Sequence, residues 1–234
     1  MLTLALPSKG RLQQQAIATF AEAGVAIARA GEAREYAARV EGLDGVRAVM
    51  LAAGEIPAAL ASGGAHLGVT GEDLIRETIP DVAARLVIAR RLGFGRADLV
   101  VAAPAAWIDV ETMHDLDEAA AAFRAVHGRP MRVATKYHRL ARRFFAAAGV
   151  ADYRLVDSQG ATEAAPKNGT AELIVDITSS GETLQANRLR VLDDGLILRS
   201  EALLCVSRLA PWDDAARSAL GALAKRMGFA EPAV

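Results

Sequence analysis

The sequence predicts an α/β fold of two lobes, and three observations carry the prediction. Strand-like and helix-like patterns alternate from one end of the chain to the other. Two long segments, 85–103 and 190–208, have nearly continuous strand composition. A complete α/β block lies between them, as expected if the chain leaves one lobe, builds a second and returns. On this reading residues 1–95 and 191–234 form the first lobe and 96–190 the second. One continuous sheet with long edge strands is the plainer alternative, and two lobes account better for the paired segments.

Leu2, Leu4 and Leu6 alternate with smaller residues until Pro7 and Ser8 break the run, which is the period of a strand. Leu12, Ala16, Ile17 and Phe20 follow at helical spacing, and Gly24 stops them. Residues 47–51 read as a strand, 56–61 as a short helix opened by Pro57, 66–69 as a strand and 72–78 as a helix. The two strand-rich segments are interrupted by Gly93 and Gly95 in the first and by a turn at Asp193-Asp194-Gly195 in the second. The block between them reads as a helix at 116–126, a strand at 131–134, a helix at 140–147 and a strand at 153–156. Alternation of this kind predicts largely parallel sheets. Residues 212–227 form an amphipathic helix with Ala216, Leu220, Leu223 and Met227 on one face, expected to close a core.

The composition removes several function classes. A net charge of −1 gives no basic field for nucleic acid, and 5% aromatic residues disfavour a base-stacking surface. The single cysteine, Cys205, excludes an intrachain disulfide and sits in an apolar run as a buried thiol. His66, His114, His127 and His138 show no metal-ligand spacing. No run approaches the ~18 apolar residues of a membrane span, and Met1–Leu6 lacks the features of a secretory leader, so a cytoplasmic protein is expected.

Five turns carry candidate chemistry. In the first, the strand Leu173–Asp176 ends in a carboxylate, followed by Thr178, Ser179, Ser180, Gly181, Glu182 and Thr183 at a helix start. Hydroxyls and backbone N–H groups converging there suit a phosphate, and the aspartate suits sugar hydroxyls. A Ser or Thr that merely caps the helix would leave part of the same pattern. In the second, Lys9, Gly10 and Arg11 join the first strand to the first helix, where two cations suit a polyphosphate; a solvated basic turn reads the same way. In the third, Thr70, Gly71 and Asp73 follow a strand, with the spacing of a capping box as well as of a ligand contact. Lys136, at the strand end before Tyr137, is placed to neutralise phosphate. Glu163, in the Gly160–Pro166 turn, sits near a helix start, where it also complements the dipole.

Taken in order, these motifs resemble the ATP phosphoribosyltransferase family, the first enzyme of histidine biosynthesis. The resemblance rests on Leu6-Pro7-x-Lys9-Gly10-Arg11-Leu12, Gly68-Val69-Thr70-Gly71-x-Asp73, Val133-Ala134-Thr135-Lys136-Tyr137, Glu163-x-Ala165-Pro166, Ile174-Val175-Asp176 and Ser180-Gly181-x-Thr183-Leu184. It implies a periplasmic-binding-protein-like (type II) fold with two hinge crossovers. It implies transfer of phosphoribosyl from phosphoribosyl pyrophosphate to N1 of ATP, with Mg2+ held mainly by substrate phosphates. Asp176, Lys9 and Arg11 would be the catalytic groups. Residues Asp176, Thr178, Ser179, Ser180, Gly181, Glu182, Thr183, Glu163 and Lys136 would bind phosphoribosyl pyrophosphate. Lys9, Gly10, Arg11, Thr70, Gly71 and Asp73 would bind ATP. The chain is similar to the short form, which implies a histidyl-tRNA-synthetase-like regulatory subunit in a hetero-octamer, with no nucleic-acid or membrane partner.

Two positions depart from the family pattern. His138 stands where proline usually follows the Ala-Thr-Lys-Tyr run, and Gly169-Thr170-Ala171-Glu172 replaces the usual Gly-Leu-Ala-Asp. A non-catalytic two-lobed ligand-binding or sensor module is the rival class, because the same fold serves both. A phosphoribosyltransferase acting on another base is the third reading.

Overall fold

The computed structural model describes residues 1–29, 37–158 and 160–234. The chain divides into two compact units, Met1–Gly95 with Glu201–Val234, and Arg96–Ser200.

Unit 1 is built on a sheet of strands β1 (Leu2–Pro7), β2 (Ala26–Arg29), β3 (Ala37–Glu41), β4 (Val46–Leu51), β5 (Leu67–Gly71), β6 (Leu86–Arg91) and, after the excursion through unit 2, a returning strand at Ala202–Ser207. Their order across the sheet is β2-β3-β4-β1-β5-returning strand-β6. The alternation in β1 has a direct packing reason. Leu2, Leu4 and Leu6 face one core together with Phe20 of α1 (Gly10–Glu22) and with Leu220, Leu223 and Met227 of the C-terminal helix (Asp214–Met227). Ala5 faces the other, against Ile56 and Leu60 of α2 (Ile56–Ala61) and Ile75 of α3 (Glu72–Thr78). Each fully buried leucine contributes about 1.5–3 kcal/mol. A short helix, α4 (Val82–Arg85), leads into β6.

Unit 2 carries β7 (Ala97–Pro104), α5 (Met113–His127), β8 (Met131–Thr135), α6 (His138–Ala147), β9 (Tyr153–Asp157), β10 (Leu173–Thr178), α7 (Glu182–Ala186) and β11 (Leu189–Ser200). The sheet order is β11-β7-β10-β8-β9. A full capping box starts α5: Thr112 accepts from Asp115 N–H while the Asp115 carboxylate accepts from Thr112 N–H. Gly128, left-handed, ends it. In chain order, the returning strand Ala202–Ser207 is β12 and the C-terminal helix is α8.

Three expectations need correction. The sheets are mixed rather than largely parallel: β1 runs parallel to β4 and β5, and β8 to β9 and β10, while every other described pairing is antiparallel. The two crossing segments produce much of this, because the strands on either side of them pair back against the parallel cores. Asp193-Asp194-Gly195 does not turn the chain. β11 runs through it with register shifts between Val191 and Leu198. Asp193 N–H donates to Glu111 O and Asp194 Oδ1 accepts from Met113 N–H, so contacts to the start of α5 override the turn chemistry. Residues 191–200, assigned from sequence to the first lobe, pair with β7 and belong to unit 2.

Candidate functional site

In unit 2, β8 and β9 end side by side at Thr135 and Asp157, and β10, paired with β8 through Leu173 and Ile174, runs on past them to Thr178, at the edge of an α/β sheet where ligands bind. A cavity of 130 Å³ opens there, lined by Glu163, Asp176, Ile177, Thr178, Ser179, Ser180, Thr183 and Leu184. It is smaller than a typical site for a whole small molecule, about 300–1,000 Å³, and suits one phosphate group with its adjoining sugar atoms.

Asp176 is half-buried in this wall. Burial pushes its carboxyl above the ordinary aspartate range, and Glu163 adds to the push; Ile177 N–H, the Lys136 ammonium and the Thr162 hydroxyl oppose it without cancelling it. The Ile177 amide donates to Asp176 Oδ1 at 2.8 Å. Lys136 follows β8, whose neighbour across the parallel pairing is β10, and its ammonium stands 5.1 Å from the centroid of the buried Tyr137 ring. The structure thus gathers Asp176, Glu163, Lys136, Thr178, Ser179, Ser180 and Thr183. It adds Thr162, a buried hydroxyl to which sequence reasoning gave no role.

The loop is shaped by Gly181, which sits at φ +77 as the residue before α7, a conformation that favours glycine. Gly181 N–H donates to Thr178 Oγ1 at 3.0 Å, so the Thr178 oxygen ties the loop while its proton stays available to a ligand. Gly181 itself brings no side-chain cap to α7, and Ser180 Oγ accepts from the Glu182 N–H at 3.4 Å; capping thus accounts for Ser180 in part and not for the Ser179 and Thr183 hydroxyls. With only five residues, α7 has a weak dipole; an anion here relies on individual N–H and O–H donors. Glu182 is exposed and does not line the cavity.

The two departures from the family pattern are structural in effect. His138 begins α6, and its Nε2 lies 3.2 Å from Asp157 Oδ1. Glu172 receives Arg132 Nη2 at 2.7 Å, Arg129 Nη2 at 3.0 Å and Arg132 N–H at 2.6 Å. Burial opposes its ionisation, but the arginines outweigh it and hold the carboxyl at about 2.

In unit 1 the parallel strands β4, β1 and β5 end at Leu51, Pro7 and Gly71, which brings the second and third motifs to one sheet edge. Lys9 and Arg11 are exposed at the start of α1, and Gly10 opens the helix at φ +79. Thr70 is not a cap: its hydroxyl donates to Ala53 O at 2.9 Å, tying the β5 end to the loop after β4. Gly71 precedes α3, and a Cβ there would stand 2.2 Å from Asp73 Oδ1, so a larger residue would have to displace the buried carboxylate. Beside it, buried Glu72 accepts from Arg76 Nη2 at 2.7 Å and Arg91 Nη1 at 2.7 Å. Burial raises the Glu72 carboxyl, and the two arginines more than offset that and leave it lowered. Among the described residues no group of three or more His, Cys, Asp or Glu is placed to hold a metal. No described helix is long and apolar enough to cross a membrane.

Comparison with known proteins agrees with these motifs. The family model described as HisG, ATP phosphoribosyltransferase, matches residues 52–228. An ATP phosphoribosyltransferase of Cereibacter sphaeroides is 55% identical over 99% of this chain and 98% of its own length. One from Rhodopseudomonas palustris (strain BisA53) is 61% identical over 92% of this chain but only 66% of its own length. The chain therefore spans slightly under two thirds of that relative. Among solved structures, the ATP phosphoribosyl transferase (HisG:HisZ) complex from Thermotoga maritima matches with a TM-score of 0.73 at 23% identity, covering 97% of this chain and 96% of that one. An ancestral arginine-binding protein matches with a TM-score of 0.54 at 11% identity over 97% and 90% of the two chains, which places the fold among periplasmic-binding-protein-like proteins.

Proposed function

The chain belongs to the ATP phosphoribosyltransferase family, and on that premise we propose that it transfers the phosphoribosyl group of phosphoribosyl pyrophosphate to N1 of the adenine of ATP. This is the first step of histidine biosynthesis. The N1 lone pair forms the new bond to the anomeric carbon, and pyrophosphate departs with the electron pair of the broken C–O bond. The sugar carries positive charge between these events, so no protein nucleophile is needed. Alignment and charge neutralisation are what the protein supplies.

The observation that carries this reading is the 130 Å³ cavity in which a hydroxyl-rich loop meets two carboxylates, Asp176 and Glu163. Donors from residues 178–183 take the 5′-phosphate. Asp176 and Glu163 accept from the ribose hydroxyls. Lys136 neutralises phosphate charge beside them. Lys9 and Arg11 serve polyphosphate, and the Gly71 turn with Asp73 faces ATP, while the Thr70 hydroxyl is engaged by Ala53 O. Magnesium would neutralise pyrophosphate charge. Because no described cluster of three ligands exists, it would be carried by the substrate phosphates. A histidyl-tRNA-synthetase-like subunit is the proposed partner, in a hetero-octamer, in keeping with the solved HisG:HisZ complex.

The test is the absorbance of phosphoribosyl-ATP formed from ATP, phosphoribosyl pyrophosphate and magnesium, with the partner subunit present. Asp176→Asn removes charge-assisted acceptance and is expected to lower turnover about 100-fold. Gly181→Val forces a β-branched residue to positive φ and is expected to do the same by distorting the loop. Near-normal turnover in both variants would remove the cavity from the mechanism.

A further inference from the structure

We propose that a second cavity of unit 2, separate from the phosphate cavity, is a ligand site, and that it takes an organic phosphate: a dianionic head on a small apolar body. The inference goes beyond the proposed transfer reaction and does not depend on it.

The cavity measures 1060 Å³, room for a whole small molecule, and shares no lining residue with the 130 Å³ cavity. Three segments meet around it: the loop after β7, the stretch after the 3-10 turn Thr162–Ala164, and the passage from α7 to β11. Pro104, Pro166 and Leu189 give it apolar surface. Every charged residue of its lining is a cation: Lys167, Arg188 and Arg190.

Lys167 and Arg188 are exposed, and solvated cations by themselves mark nothing. Arg190 gives the cavity its character. It is half-buried, and its Nη2 donates to Trp107 O at 2.9 Å and to Val110 O at 2.7 Å, so the guanidinium is fixed in the wall. Those bonds leave its charge unneutralised, and the donors on Nε and Nη1 have no acceptor among the described residues. Arg129 and Arg132, also half-buried, share the carboxylate of Glu172; Arg190 has no carboxylate within ion-pair distance among the described residues. A guanidinium drawn partly out of water, held rigid and left without a counter-charge is completed by an anion. With Lys167 and Arg188 beside it, the charge suits a dianion.

The backbone at Arg188 supports a functional origin. Arg188 lies at φ 58, in the left-handed region that favours glycine. Its amide donates to Gln185 O at 2.9 Å and its carbonyl accepts from Ala105 N–H at 2.8 Å, which holds the conformation. An arginine kept in a strained position on the wall of a cationic cavity is accounted for by the charge it delivers there.

Phenyl phosphate is the probe, carrying about two negative charges at pH 8; phenol lacks the anion and inorganic phosphate lacks the body. Calorimetry on the full chain at low salt is expected to show phenyl phosphate binding about tenfold more tightly than either control. Its addition is expected to move the NMR amide signals of Ala105, Arg188 and Leu189. Arg188→Gly relaxes the backbone, so it is expected to melt at the wild-type temperature or higher while binding phenyl phosphate about tenfold more weakly. Lys167→Ala, at an exposed position, is the second variant and is expected to bind it about threefold more weakly. No binding of phenyl phosphate at millimolar concentration, amide changes confined to residues 178–183, or undiminished affinity in both variants would each overturn the proposal.

Discussion

Asp176 sits where two demands conflict. In the proposed role its ionised form is the stronger acceptor for sugar hydroxyls, yet burial favours its neutral form, with Glu163 adding to the effect. Its folded-state pKa is raised above the unfolded value, so the ionised carboxylate costs stability at neutral pH, and the cost is relieved as pH falls through the raised value. Two outcomes are expected. Affinity for phosphoribosyl pyrophosphate, measured by calorimetry across pH, starts to fall at a pH above the ~4 of an ordinary aspartate. Asp176→Asn melts at the wild-type temperature or a few degrees higher at pH 7 while losing activity, the trade expected where a site holds an unfavourable charge. A melting temperature lowered by several degrees would show that Asp176 supports the fold instead. The sequence made Asp176 legible because a carboxylate directly after the apolar run Leu173–Val175 is anomalous by itself, although the strand does not end there and continues to Thr178. Arg190 was not legible: the cavity it lines is built from three separate segments, and only the tertiary fold brings them together.

At the scale of elements, the sequence specified strands and helices wherever periodicity was strong. β1, α1, α2, α3, α6 and α8 fall close to where their apolar spacing put them. It failed where tertiary contacts outvoted local chemistry. β3, Ala37–Glu41, has the composition of a helix and becomes a strand only by pairing between β2 and β4. Glu172 shows the opposite case, a local departure with a tertiary purpose. It lies just ahead of β10, binds Arg132 in β8 and Arg129 before it, and so fastens the strand that carries Asp176 to the strand that leads into Lys136. Its carboxyl is held at about 2 against an ordinary 4.5. A depressed folded-state value contributes stability that is complete above the unfolded pKa and is lost as pH falls toward the folded one, here between roughly pH 4.5 and 2. The full effect is at most about 3 kcal/mol, since both arginines remain partly in water. The stability difference between wild type and Glu172→Gln, from denaturant unfolding, is expected to be largest at pH 7 and to vanish only below about pH 2. A difference independent of pH would mean that the ion pairs are not its source.

At the scale of the molecule, the chain passes between its units twice, after Gly95 and after Ser200, and both passages are anchored on the unit 1 side. Leu92 N–H donates to Ala202 O at 3.0 Å and Ala202 N–H to Phe94 O at 2.9 Å, so the outgoing and returning segments are paired to each other. Arg91, just before the first passage, binds Glu201, just after the second, at 3.1 Å, and binds Glu72 at 2.7 Å. One guanidinium therefore joins both passages to the helix that follows the Gly71 turn. Glu72 is 2% exposed, so removing Arg91 leaves a buried carboxylate with Arg76 as its remaining ion-pair partner; the penalty for exposing such an imbalance is about 3 kcal/mol. Cys205 reports the consequence. It lies in β12 between β5 and β6, opposite Gly68 and Ile88, fully buried, and burial pushes its thiol up to about 12. Being the single cysteine of the chain, it reacts with a thiol reagent at pH 8 only when unit 1 opens. Arg91→Ala is expected to speed that labelling about 100-fold when opening is in fast equilibrium, as 3 kcal/mol of lost stability requires. Arg91→Lys, which keeps the charge but not the forked geometry, is expected to fall between the two. If labelling in Arg91→Ala matched the wild type, the ion pairs around Arg91 would be surface decoration, and the anchoring of the two passages would rest on the backbone bonds at Leu92 and Ala202 alone.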